Sequence, residues 1–366
     1  MPDRRRISSF QAIAILTGTL IGVSILILPG TAAAASGSGG WLAVFLTGLV
    51  SLFPLAVITA LGRRFPRQNI IQYSDSILGR YLGKLVAITF SLYWLVLTAV
   101  TVRFFGAVLV TSLLFRTPLE ITVIIMLLLT AYLVQFDIKV FGRVQEVFFF
   151  FYLIALLPLP FAVINRLQPL HLLPAAPTGL AGLLPGIAAS AAAYLGLEVT
   201  AMFQTYYTEP KKALLLHTVS LAAVTVIYTT VTILAIGVFS AEALTAMQWP
   251  ALELIKTANL PGLFFERSDA LFVSVWLTAV FTTVATFYHC SARALADVVG
   301  LRSQAKLALP LVPFLFYLAV LPRNTVETMH FFQILANFGS VLILTVPLFL
   351  LAVAVLRGKG GRTDAH

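Results

Sequence analysis

The sequence predicts an all-α membrane protein of ten transmembrane helices, arranged as two antiparallel halves of five. Three observations carry that expectation. The 366 residues are 60% hydrophobic and only 10% charged, with a mean hydropathy of +0.98, whereas soluble domains are roughly 45–50% apolar and about 25% charged. Apolar runs of the length a bilayer requires, about 20 residues, recur along the whole chain. The first run of each half is broken by small and polar residues, at corresponding places.

In order, the runs lie at about 8–34, 41–62, 81–114, 119–136 and 141–164, then 182–206, 213–239, 263–291, 306–321 and 331–356, within one integral membrane domain covering 1–366. The first, third and eighth are long enough to tilt. Arg4–Arg6, the apolar run behind them and "TAAAASG" have the outline of a cleavable signal. The run from Ile7 to Pro29 exceeds a signal core of about 7–15 residues, however, so a retained first helix is expected.

The charge balance of +10 does not point to nucleic acid, because the basic residues are scattered through short loops. With the N-terminus placed in the cytoplasm, inner segments hold most of them. These are Arg4, Arg5 and Arg6; Arg63, Arg64, Arg67, Arg80 and Lys84; Lys139 and Arg143; Lys211 and Lys212; Arg293, Arg302 and Lys306; and Arg357, Lys359 and Arg362. Outer segments keep Arg116, Arg166, Lys256, Arg267 and Arg323, while Arg103 near the outer end of the third helix is expected to snorkel. Both termini are therefore expected to be cytoplasmic. One cysteine, Cys290, excludes an internal disulfide, and five scattered histidines show no ligand spacing, so neither metal nor cofactor is expected.

The longest loop, about 240–262, places Leu244, Met247, Trp249, Leu252 and Ile255 on one side of a short helix. It reads either as a helix resting in the lipid interface or as a cap over an outer vestibule.

The interruptions carry the functional reading. In the first helix Thr17, Gly18, Thr19, Gly22 and Ser24 precede Pro29 and Gly30; in the sixth, "AASAAAYLGLEVTAMF" carries Gly196 and the ionisable Glu198. With five helices per half, the second half enters from the opposite face. Paired interrupted spans in inverted halves are the sequence signature of a binding site near the bilayer midplane. Unwinding frees backbone groups that lipid cannot satisfy, so they must meet a cavity, a ligand or protein. A half-helix N-terminus suits a carboxylate, and the carbonyl end suits an ammonium group or cation. Close helix packing is the competing account of the small residues.

Glu198 is the one acidic residue deep in a span, and reads equally as ligand-site chemistry or as a hydrogen-bond acceptor for freed amides. Further candidates are Tyr93, Leu97 and Thr101 on one face of the third helix. Thr282, Thr283 and Thr286 in the eighth are hydroxyls for a ligand or cation, or for their own helix carbonyls. Phe338 in the tenth is placed either to close a pocket or to pack.

The string "GTLIGVSILILP" is similar to the first-helix pattern of the amino acid–polyamine–organocation (APC) superfamily, and implies its leucine-transporter-like inverted repeat. More narrowly, "YSDSILGRYLGK", "TPLEITVIIMLLLTAYLVQFDIKVFGRVQEV", "YLGLEV" and "FFERSDALFVSVW" resemble the spore germinant-receptor B subunits (the GerAB family of spore germination permeases), over about residues 6–356. Ser268 departs from that pattern, which usually has a bulkier apolar residue there. The resemblance implies a nutrient-sensing subunit in the inner membrane of a spore, acting with receptor A and C subunits. By position it implies a pocket of Gly22, Val23, Ser24, Tyr93, Leu97, Leu195, Gly196, Thr283 and Phe338. An apolar chamber of Val23, Leu97 and Leu195 suits a small neutral amino acid. An active amino-acid or cation-coupled transporter is the alternative; an enzyme is not expected, since no paired carboxylates or nucleophile–base set is present.

Overall fold

The computed structural model describes residues 6–176, 179–257 and 268–360. Among these described residues are seventeen α-helices, with short 3₁₀ turns between some of them. The first half comprises α1 (Ser9–Ile21), α2 (Ser24–Ser36), α3 (Gly40–Arg64), α4 (Ile70–Leu78), α5 (Arg80–Ser112), α6 (Leu119–Val134), α7 (Ile138–Leu156) and α8 (Leu159–Val163). The second comprises α9 (Leu184–Ser190), α10 (Thr200–Phe203), α11 (Ala213–Phe239), α12 (Ala241–Thr245), α13 (Pro250–Lys256), α14 (Ser268–Val298), α15 (Ala305–Ala308), α16 (Val312–Val320) and α17 (Thr325–Leu356).

Local chemistry sets the boundaries. A capping box opens α1: Gln11 N donates to Ser8 Oγ (3.1 Å) and Ser8 N donates to the Gln11 side chain (3.0 Å). Asn69 and Gln72 repeat the device ahead of α4. That helix falls in what the apolar windows leave as a loop, because nine residues are too few for a span. Its apolar face, with Ile70, Ile71, Tyr73 and Ile77, is buried and packs on α5.

Among the described residues, six helices are long and apolar enough to cross a membrane, or seven if the bent pair Leu180–Tyr194 and Leu197–Tyr206 is one span. Ser9–Ile21 and Leu119–Val134 are apolar but shorter. The window at 306–321 is not one helix: Pro310 lies in a turn between α15 and α16, where its missing N–H interrupts the ladder. The ten predicted windows are thus not ten uninterrupted helices.

The middle of the molecule is built from α1, α5 and α14. α1 is buried over most of its length and packs against α14, α11 and α7, while α5 and α14 pair closely. Apolar side chains such as Ile125, Phe150 and Phe349 point outward, as a lipid-facing surface requires.

The long loop forms α12 and α13, which pack on α2. Leu244, Trp249, Leu252 and Ile255 are buried in protein rather than left for lipid, which favours the cap reading. Its last residues, 258–262, lie outside the described residues, as do Phe264, Phe265, Glu266 and Arg267 of the "FFERSDALFVSVW" motif and the basic Arg4, Arg5 and Arg362. Arg103 is only 7% exposed as a residue, with its Nε buried and Glu120 and Glu327 as the carboxylates whose field reaches it.

Gly48 sets how closely α3 and α11 approach, since a Cβ there would lie 2.9 Å from Thr225 Cβ. Gly48→Val is expected to destabilise the fold by about 1–3 kcal/mol through overpacking, seen as a lower thermal midpoint in detergent; an unchanged midpoint would contradict this packing.

Candidate functional site

The first break falls at Gly22 and Val23, where α1 ends and α2 begins. Its carbonyls are taken by side chains from the opposite half. Thr283 Oγ1 donates to Gly18 O (2.8 Å), Trp276 Nε1 donates to Gly22 O (3.1 Å), and the Tyr228 hydroxyl donates to Leu20 O. Each bond replaces an acceptor's missing intrahelical partner without water.

The second break lies between Tyr194 and Leu197, where the chain bends by 46°. Gly196 stands at φ +111°, in the left-handed region where a side chain is strained. Glu198 locks it: Gly196 N donates to Oε2 (2.8 Å) and Trp94 Nε1 donates to Oε1 (3.0 Å). Fully buried, Glu198 does not line the nearby cavity. Its geometry is that of the acceptor reading.

Tyr228 ties the two breaks together. Beside its bond to Leu20 O, its hydroxyl lies 3.2 Å from Ala193 O at the second break. Tyr194 packs edge-on against the same ring at 5.5 Å.

Between the breaks is a cavity of about 20 Å³, room for about one water. Of the sequence candidates, Gly22, Val23, Ser24, Leu97, Leu195 and Thr283 line it. The N-terminus of α2 opens there without a side-chain cap, leaving amide donors and positive dipole for an anion. Thr101 also lines it, with its hydroxyl bonded to Leu97 O at 2.7 Å. A larger cavity of about 240 Å³, roofed by Leu244, Met247 and Pro250 of the α12–α13 cap, shares Ser24, Ala192 and Phe332 with the small one.

Other candidates stand apart. Tyr93 is buried against Gly339, and its ring lies 6.3 Å from Phe338, which is 48% exposed on the outside of α17; neither lines the cavity. Gly196 supplies the turn rather than a cavity wall. Thr282 and Thr286 bond their own helix, and Gln145 Nε2 donates to Thr286 Oγ1 (3.0 Å), so both face α7. Among the described residues no group of three or more His, Cys, Asp or Glu is placed to hold a metal.

Sequence reasoning missed Trp94, Trp276, Tyr228 and Phe332. The first three had a readable signal, since a buried indole or phenol in a span needs a partner for its polar tip. Phe332, which meets Phe104 edge-on at 5.5 Å, did not stand out from an ordinary apolar face.

The model of the spore germination proteins matches residues 6–328. The chain belongs to this family. Among similar proteins are spore germination proteins YndE of Bacillus subtilis (26% identical, over 97% of this chain and 98% of that one) and A2 of the same organism (22%, over 97% of each). Another is GerLB of Bacillus cereus (24%, over 95% and 94%). The fold resembles MhsT solved in complex with L-phenylalanine, with a TM-score of 0.69 at 13% identity, over 95% of this chain and 89% of that one. The fold is therefore leucine-transporter-like, and this family member is a multi-pass membrane protein of a non-enzymatic permease type.

Tyr228→Phe is expected to lower stability by about 1–3 kcal/mol, because Leu20 O loses its donor where no water replaces it. Thermal unfolding in detergent measures this; a neutral substitution would show that the break is held by something else.

Proposed function

We propose that this chain is the nutrient-sensing subunit of a spore germinant receptor. It binds a small germinant, of the neutral amino-acid class, between the two helix breaks and passes the change to receptor A and C subunits. In this reading residues 1–366 form one membrane domain of ten crossings in the inner membrane of the spore, with both termini cytoplasmic. The supporting observation is the meeting of both breaks at a single small cavity, where an uncapped helix N-terminus opens among apolar walls.

The chemistry follows from that arrangement. The amides at Ser24 suit the carboxylate of an amino acid. Leu97, Leu195 and Val23 suit a short apolar side chain. Thr101 and Thr283 hydroxyls are near enough to take part, although both donate to carbonyls as the cavity stands. A cavity of about 20 Å³ is smaller than any amino acid. Entry thus requires Phe332 or its neighbours to yield and the two cavities to merge. A ligand that binds the widened state better shifts the population toward it, which is the signal a sensing subunit needs.

A second reading, active transport, is favoured by the likeness to MhsT, a structure holding L-phenylalanine. Vesicle experiments separate the two: a sensor binds nutrient but accumulates little of it, whereas gradient-driven accumulation would establish the transporter.

Two variants test the site with a specificity readout. Leu97→Phe fills the cavity and is expected to weaken binding of L-alanine tenfold or more, which corresponds to about 1.4 kcal/mol. Leu97→Ala is expected to shift preference from alanine toward valine and leucine. Equal amino-acid profiles in the wild type and both variants, measured on folded protein in vesicles, would place the ligand elsewhere.

A further inference from the structure

At the end of the molecule that carries the N-terminus, a separate cavity of about 630 Å³ opens among the α1 approach, α4, the α6–α7 turn and the last turns of α14. Its volume is that of a small-molecule site. Its walls are dominated by donors. Arg6, Arg67, Arg293 and Arg302 face Asp137 as the one carboxylate among the lining residues, with Asn69, Gln72, Gln135 and Gln304 between them.

The charges are not equally available. Asp297 is taken, accepting from Arg293 Nη2 and, at 2.9 Å, from Asn69 Nδ2; Arg293 Nη1 also donates to Arg302 O at 3.2 Å. Arg293 is thus committed to shaping the wall. No partner within hydrogen-bond or ion-pair distance is found for the guanidinium groups of Arg67 and Arg302 among the described residues.

His289 is the second, independent sign of a ligand. It lines this cavity yet is only 2% exposed, held between the rings of Phe141 (5.0 Å) and Phe203 (5.3 Å). Both ring nitrogens are buried without a hydrogen-bond partner. Buried polar atoms without partners are costly, so a donor-rich cavity floored by such a ring is a built polar site that lacks its complement.

We propose that this cavity binds a small multivalent oxyanion, of the phosphate or polycarboxylate class, between the Arg67 and Arg302 guanidinium groups above the His289 ring. Guanidinium groups recognise such oxygens through paired, charge-assisted bonds. The imidazole adds a nitrogen at the floor, donor or acceptor according to its tautomer. This site lies apart from the cavity at the helix breaks and shares no lining residue with it.

The test is calorimetric titration of the full chain in phosphatidylcholine nanodiscs, at low ionic strength, with inorganic phosphate and with citrate. Saturable binding of at least one anion is expected. Arg67→Gln/Arg302→Gln should weaken it roughly tenfold or more. The exposed Arg116→Gln, in the loop beyond the opposite end of α5, should leave it unchanged while removing one charge. His289→Phe keeps the ring stack and is expected to weaken binding about threefold or more. Nanodiscs containing phosphatidylglycerol distinguish the source: competition with phosphate would assign the site to a lipid headgroup, and no competition to a soluble anion. Both arginines are exposed, so the double variant should keep the wild-type thermal midpoint. No saturable binding of either anion, or equal affinity in the double variant, would overturn the proposal.

Discussion

The hydroxyl of Tyr228, reaching from α11 toward both Leu20 O and Ala193 O, is the contact on which the middle of this molecule depends. A helix that opens inside a bilayer exposes carbonyls and amides that lipid cannot satisfy. Here the exposed carbonyls of the first break are met by side chains of the other half, and the freed amide of the second by a carboxylate that the first half anchors through Trp94. Thr283 and Trp276 serve the first break, Glu198 and Trp94 the second, and Tyr228 stands between the two. The two halves cannot separate without orphaning polar groups on both sides. A stable frame around two weak points is the result.

That frame explains why the cavity between the breaks is small and why it is poised to change. Carbonyls fixed to side chains leave little unclaimed polarity, and what remains is the N-terminal end of α2 at Ser24. The larger cavity under α12 and α13 lies next to it, with Ser24, Ala192 and Phe332 common to both. Widening needs side-chain movement rather than backbone rupture. A small nutrient that stabilises the widened form would have only its differential affinity to spend on the signal, typically a few kcal/mol.

Much of this was legible in the sequence, for reasons that can be stated residue by residue. Gly22 with Ser24, and Gly196 with Glu198, announced both breaks, because small and ionisable residues are costly inside a span unless they have work to do. Leu97 and Thr283 were readable from their helical spacing with neighbouring hydroxyls. The partners were not. Nothing local in Tyr228 or Trp276 says which carbonyl, more than 200 residues away, each will reach. Tyr93 was placed with Leu97 by helical spacing and Phe338 by its place in the tenth span, yet Tyr93 packs against Gly339 and the register of α17 turns Phe338 outward. Pro310 hid in an apolar window that averaging reads as one helix, although its missing N–H divides it. The four-residue capping signal at Asn69 was present, and a search for long apolar runs passes over the short helix behind it.

Amide hydrogen exchange at the two breaks, measured on the nutrient-free protein in nanodiscs, tests the central claim most directly. The account predicts slow exchange from Leu26 and Gly196 without any nutrient, because their amides are bonded to Val23 O and Glu198 within the protein. Rapid exchange at both, becoming slow only when nutrient is added, would mean that the ligand rather than the protein's own groups completes the broken backbone, and the account would fail.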